Sequence, residues 1–219
     1  MLMQVRSGFA MGGKRALGTI GFHDSAMAAA SSVSMPAGIA AGDLAVLFDF
    51  ALDTSVPTDA TPSGFTAIGT SQTSLNGGIG IRWNQSYKVL TGGETTVTGM
   101  SAFLVAKNLL VFRVTGAGSW GAPASIGQEV GQYGGTMASD KTVTVGVAPL
   151  VVLGCIFGGA SGDLDMSPAA TAEQNLDADN QGWLNSGYII YNSAPSDNTV
   201  GSTDDATDLA VAAFYIPLV

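Results

Sequence analysis

The chain predicts an all-β fold, an antiparallel β-sandwich of jelly-roll type with an extended N-terminal arm, and three observations carry that expectation. The first is the run Ile79–Val89, in which Ile79, Ile81, Trp83, Tyr87 and Val89 alternate with Gly80, Arg82, Asn84, Ser86 and Lys88. Strict alternation is what a strand with one buried and one wet face requires. The second is rhythm: apolar runs recur about every ten residues with turn residues between them, as in sandwiches and barrels. The third is composition, because the 30 glycines and 8 prolines lie mostly between the apolar runs, which suits many short strands and tight turns.

Taken in order, residues 1–20 carry four glycines and no sustained period, and read as an extended arm that another surface must order. Residues 21–219 read as a single sandwich domain, with structure expected to begin at Thr19-Ile20-Gly21-Phe22. A small-residue strand is expected around Ala26 to Ser34, and Pro36 and Gly38 make a turn. Gly42-Asp43 opens a strand in which Leu44, Val46, Phe48 and Phe50 share a face, β-branched and aromatic content favouring a strand over a helix. Pro62-Ser63-Gly64 leads into Phe65–Ile68, and Asn76-Gly77-Gly78 predicts a hairpin turn because Asn and Gly tolerate positive φ. After the Ile79–Val89 strand come Thr95 to Thr98 and the run Phe103 to Thr115, with Leu110, Phe112 and Val114 inward and Arg113 outward. Gly116 to Pro123 is a loop carrying Trp120. Thr142–Val145 is a short strand, and the unbroken run from Leu150 to Phe157 predicts a central strand buried on both faces. Gly158 to Gly187 reads as loops with one short strand near Thr171 to Asn175, and Tyr188–Tyr191 and Leu209–Ile216 close the domain. No fixed-period repeat is legible.

The 219 residues are 46% hydrophobic, enough for a sizeable core, but only 11% charged, about half the usual share. A surface so poor in charge is weakly protected against association, which points to a homo-oligomer or lattice as readily as to a Ser/Thr/Gly-rich polar surface. A net charge of −9 argues against nucleic acid, whose phosphates need clustered Lys and Arg. No base follows Lys141, whereas nine acids lie between Asp163 and Asp208; Arg6, Lys14 and Arg15 make the first fifteen residues basic. No stretch reaches the roughly 18–20 apolar residues of a membrane span, and no apolar segment of signal-peptide type stands beside the N-terminal bases.

The motifs that bear on chemistry are weak ones. Gly8-Phe9-Ala10-Met11-Gly12-Gly13-Lys14 has phosphate-loop spacing, but Arg15 stands where a hydroxyl should hold Mg²⁺ and no buried strand precedes it. Asp177-Ala178-Asp179-Asn180-Gln181-Gly182 resembles the start of a calcium loop, yet Tyr188 occupies the twelfth position instead of Glu. Asp177 and Asp179 are thus calcium candidates, with a solvated acidic loop as the plainer reading. His23, the only histidine, has no Gly-x-Ser-x-Gly elbow to serve, and reads as a hydrogen-bonded structural residue. Asp49 and Asp53 imitate a glycosidase acid and base by spacing alone. Cys155, the only cysteine, sits in an apolar run and reads as a buried thiol. Trp120, Tyr133 and Trp183 fall in expected loops, where an aromatic either caps the fold or presents a rigid apolar face to a sugar or a partner.

Met35-Pro36-Ala37-Gly38 before Gly42-Asp43-Leu44-Ala45-Val46-Leu47, then Pro62-Ser63-Gly64-Phe65-Thr66, Tyr87-Lys88-Val89-Leu90-Thr91-Gly92-Gly93-Glu94 and Phe112-Arg113-Val114 together resemble a pattern of structural proteins of tailed bacteriophages. Phe65 stands where that pattern has Trp, and the likeness covers roughly residues 33 to 115. The resemblance implies a β-sandwich of virion fibres, head decorations or tail and collar appendages. The expected function is therefore a non-catalytic virion protein on the particle surface, without cofactor, contacting copies of itself and other virion proteins. Arg6, Phe9, Lys14 and Arg15 of the arm are the expected docking residues, and a tail or collar position is preferred to a head decoration. The rival of another class is a carbohydrate-binding module that recognises a host surface glycan through Trp120 and Trp183. A glycan hydrolase is a third reading.

Overall fold

A computed structural model describes residues 16–54, 61–100, 105–132, 134–158, 164–177, 183–202 and 208–219. These residues form an all-β, antiparallel stack of sheets. The first half of the chain supplies β1 (Thr19–Ala28), β2 (Val33–Ser34), β3 (Ala41–Asp53), β4 (Thr66–Ala67), β5 (Gln72–Asn76), β6 (Ile79–Thr91), β7 (Thr96–Val97) and β8 (Val105–Thr115). The second half supplies β9 (Ala124–Val130), β10 (Lys141–Val143), β11 (Leu150–Gly158), β12 (Leu164–Ser167), β13 (Ala172–Asp177), β14 (Trp183–Tyr191), β15 (Asn198–Ser202) and β16 (Asp208–Pro217).

The halves repeat one another. A six-stranded sheet runs β1-β8-β3-β6-β4, with β5 also on β6, and β2 pairs with β7. The second half gives a five-stranded sheet β9-β16-β11-β14-β13 and a small sheet β10-β15-β12. Adding eight to each label of the first half gives the corresponding strand of the second in every place except that of β4. That strand pairs with β6 in the large sheet, whereas β12 pairs with β15 in the small one. The repeat is invisible as sequence identity because a sandwich needs only apolar character at alternate positions, not particular residues.

The two large sheets pack face to face on a shared inner core. Leu44, Val46, Phe48 and Phe50 of β3, Ile81 and Trp83 of β6, and Leu110 and Phe112 of β8 meet Val151, Leu153, Cys155 and Phe157 of β11 and Ala212, Phe214 and Ile216 of β16. Rings interlock across the boundary: Phe50 stacks on Phe157 with centroids 3.5 Å apart, Phe48 lies 5.9 Å from Phe214, and Phe22 stacks on Tyr188 at 4.6 Å. Each large sheet is also covered on its outer face. Val33 and Val97 of the small sheet pack on Ala45, Leu47, Leu109 and Val111, and Val143, Val200, Leu164 and Met166 pack on Leu150, Val152, Ile156 and Val211. Gly154 and Gly187 face each other across β11 and β14. A Cβ at Gly154 would lie 2.6 Å from Val200 and one at Gly187 2.7 Å from Leu164, so their bare backbones let the three-stranded sheet approach.

Several expectations need revision here. The Ile79–Val89 strand exists, with Ile81 and Trp83 inward, but its supposed wet face is buried: Arg82, Asn84 and Ser86 are 0%, 9% and 4% exposed, while Val89 is 44% exposed. A second covering layer buries that face, which period-two reading cannot foresee. The hairpin turn falls within Asn76-Gly77-Gly78 as expected, with the two glycines as its central residues: Asn76 pairs with Ile79, and both glycines have positive φ, the requirement of a two-residue turn. The residues around Ala26 join Thr19–Phe22 in one long β1, so Thr19 and Ile20 belong to the sheet and Ile20 to the core. The stretch Gly158–Gly187 holds β12, β13 and the start of β14, and β9 and β15 follow weakly alternating sequence. The continuous run of β11 is buried on both faces as expected.

Trp83 is fully buried between Phe48 and Phe50, and its Nε1 has no hydrogen-bond partner among the described residues. Trp83→Ala is expected to cost about 3–5 kcal/mol by denaturant unfolding. Trp83→Phe is expected to cost clearly less, because it keeps most of the apolar volume and removes the unpaired N–H.

Candidate functional site

The resemblance motifs converge at one end of the six-stranded sheet, where the start of β3 meets the ends of β6 and β8. Asp43 is 2% exposed and accepts hydrogen bonds from Arg113 Nε (2.8 Å), Arg113 Nη2 (2.6 Å) and the Ala40 N–H (2.7 Å). Arg113 Nη2 also donates to the Gly38 carbonyl at 2.8 Å. Burial pushes the Asp43 pKa up, but the Arg113 and Ala40 hydrogen bonds and the Arg113 charge outweigh it, and the carboxyl titrates below its ordinary value. Arg113 is correspondingly raised, chiefly by its hydrogen bond to Asp43. One strand over, Glu94 accepts from the backbone N–H groups of Thr91, Gly92 and Gly93 (3.0–3.2 Å) and pairs with Lys88 at 2.9 Å. Burial raises its pKa, but the Thr91 backbone and Lys88 bonds bring it down to about 2. The Tyr-Lys-Val…Gly-Gly-Glu motif is thus an anion seated in a turn of backbone N–H groups.

Beside this network lies a cleft of about 400 Å³, lined by Ala40, Gly42, Asp43, Val89, Arg113, Ser119 and Trp120 among others. Trp120 is half-buried, packs against the inner core, and donates Nε1–H to the Gly42 carbonyl at 3.0 Å. Its backbone bridges to Leu218, while Ser119 and Val219 exchange hydrogen bonds of 2.8 and 2.9 Å. The loop joining the halves is therefore held against the C-terminus, and the cleft sits between that loop and the end of the six-stranded sheet.

Of the other residues singled out from sequence, Trp183 is not in a loop but opens β14, opposite Gly158 and Asp177. It stands at the end of β11 away from Leu150, the Trp120 end, about 26 Å of strand distant. Trp120 and Trp183 therefore do not form one binding site. Asp177 ends β13 opposite Trp183; Asp179 and Tyr133 lie outside the described residues, as do Arg6, Phe9, Lys14, Arg15 and the whole Gly8–Lys14 motif. Among the described residues no group of three or more His, Cys, Asp or Glu side chains comes together. His23 sits at a bulge in β1 with Nε2 at 3.0 Å from the Ala37 carbonyl oxygen, a structural role. Cys155 is buried in the inner core, where desolvation pushes its thiol pKa up.

Asp49 does not form a carboxylate pair with Asp53. Four residues of strand separate them by about 13 Å, beyond the spacing of either glycosidase class. Asp49 instead binds two cations, Arg82 Nη2 at 2.8 Å and Lys107 Nζ, with all three side chains 0–2% exposed. Lys107 is opposite Asp49 in register, and Ala51 is opposite Arg82. Burial holds the Lys107 pKa below its ordinary value against the pull of Asp49. The signal in sequence was a charge set among apolar neighbours in the body of each of three strands, Phe48-Asp49-Phe50, Ile81-Arg82-Trp83 and Val105-Ala106-Lys107; a buried charge requires a partner.

Asp49→Asn leaves two buried cations without their carboxylate and is expected to cost about 3–5 kcal/mol by chemical denaturation. Lys107→Met, which leaves the Asp49–Arg82 pair in place, is expected to stay within about 1 kcal/mol of the parent. Because the folded pKa of Glu94 is depressed from 4.5 to about 2, its contribution is complete above pH 4.5 and is lost as pH falls towards 2. Glu94→Gln is expected to lower stability at neutral pH and to flatten the acid limb of a melting-temperature profile over that window. No family model, no curated protein and no solved structure matches this chain.

Proposed function

We propose that the chain is a non-catalytic structural component of a tailed-phage virion, a tail or collar appendage or fibre element that assembles with copies of itself and docks through the segment ahead of β1. The observation that supports this reading is the network at the end of the six-stranded sheet. The residues that carry the resemblance are joined in two ion pairs: Asp43 with Arg113 ties β3 to β8, and Lys88 with Glu94 fixes the turn at the end of β6. They act as structure-forming residues, and structural proteins are what that pattern belongs to. The order first, eighth, third, sixth in the large sheet, with second against seventh in the small one, supports reading each half as a jelly-roll unit. Low charge density and the exposed Leu75, Ile126 and Val147 suit a surface shared with neighbours. The basic residues Arg6, Lys14 and Arg15 would meet the acidic body of an adjacent copy or virion protein.

The test is a truncation that stops at Arg15, since Thr19 and Ile20 belong to β1. Protein lacking residues 1–15 is expected to melt like the full chain and to be missing from purified particles. Incorporation at the full-length level would overturn the docking role. Gold labelling of intact particles separates a tail or collar position from a decorating position on the head.

A further inference from the structure

We propose that the cleft between the start of β3 and the loop joining the two halves is a saccharide seat, taking one neutral hexose unit of a glycan against Trp120, Val89 and Val114. This goes beyond the structural reading above and does not depend on it. At about 400 Å³ the cleft falls in the size range of small-ligand sites. Its wall carries the apolar side chains of Val89, Val114 and Trp120, with Ala40 and Ala41, beside one ion pair.

The electrostatics select the ligand class. The Asp43 carboxylate already accepts three hydrogen bonds, so a cation gains little there. The Arg113 charge is matched by Asp43 through two of its nitrogens, so an anion gains little either. What remains among the described residues is hydrogen-bonding capacity whose charge is already matched, namely Arg113 Nη1, and the exposed neutral Ser119 hydroxyl, next to a half-buried indole. A pyranose ring matches this set, with an apolar C–H face for the aromatic and hydroxyls for the polar rim. The wall is fixed in advance: Trp120 is held by the Gly42 carbonyl, and its loop by Pro217, Leu218 and Val219. Little ordering cost then falls on binding.

The experiment is a titration of the full-length protein with maltotriose, lactose and chitotriose, followed by backbone amide shifts and by indole fluorescence. At least one of the three is expected to bind and to shift the amides of residues 40–43 and 116–120. Val89→Trp fills the cleft from an exposed position (44% exposed). It is expected to weaken binding by about tenfold or more with an unchanged melting temperature. Trp120→Ala should lose binding and Trp120→Phe should recover part of it; melting temperatures of both identify any loss caused by unfolding of the loop, and Val89→Trp decides independently of them. Failure of all three sugars to bind, binding that survives Val89→Trp, or a peptide of residues 1–15 taking the cleft in place of sugar would each overturn the assignment.

Discussion

The structure depends on a single apolar contact, the face-to-face packing of two large sheets neither of which has another partner for its inner surface. Phe48, Phe50, Trp83 and Phe112 on one side and Phe157, Tyr188 and Phe214 on the other fill that layer, with direct ring contacts across it. Aromatic rings bury large areas and gain further from stacked and edge-on geometry. Separating the halves would expose this whole surface to water, at a cost proportional to the apolar area uncovered. The two halves therefore fold as one body although each carries its own complement of strands. A few polar ties set their register: Asn108 Nδ2 donates to Ser186 Oγ at 2.5 Å within the layer, and Asn192 exchanges two hydrogen bonds with the backbone of Ile20 at its margin.

The duplicated strand order explains why charge is distributed as it is. With four layers, both large sheets are buried on both faces, and the few charged residues on their central strands must find partners inside. Asp49, Arg82 and Lys107 do so across β3, β6 and β8. The second half has no such cluster among the described residues; at the centre of its large sheet stand Gly154, Gly187 and Ala213 in register, where small residues admit the covering sheet. One topology thus accommodates two different solutions for its outer layer, an ion-paired one and a close-packed one. Buried ion pairs contribute little net stability, whereas losing one partner is costly, so Asp49, Arg82 and Lys107 are held to facing positions on β3, β6 and β8.

Function enters at the ends of strands. The ion pairs Asp43–Arg113 and Lys88–Glu94 and the Trp120 loop all gather where β3 begins and β6 and β8 finish. That end is also where the chain crosses from one half to the other and where its C-terminus returns. The cleft there is walled by the end of the six-stranded sheet and by the tethered loop that follows β8. The same network serves the proposed structural role by fixing this end and the proposed saccharide seat by keeping its walls rigid.

From sequence alone the alternation of β3 and β6, the inward set Leu44–Phe50, the double burial of β11 and the buried thiol of Cys155 were determined, because apolar period and length answer those questions locally. The motif residues Gly42-Asp43, Lys88…Glu94 and Arg113 were legible as a pattern, but not their pairing, since pairing joins residues up to 70 apart. Tertiary structure alone decided that Arg82, Asn84 and Ser86 are covered, that Trp120 and Trp183 lie at opposite ends of a sheet, and that the chain is one topology written twice. The physical reason is common to all three: which face of a strand meets water depends on what is stacked over it, and stacking is set by distant segments whose local sequence carries no record of one another.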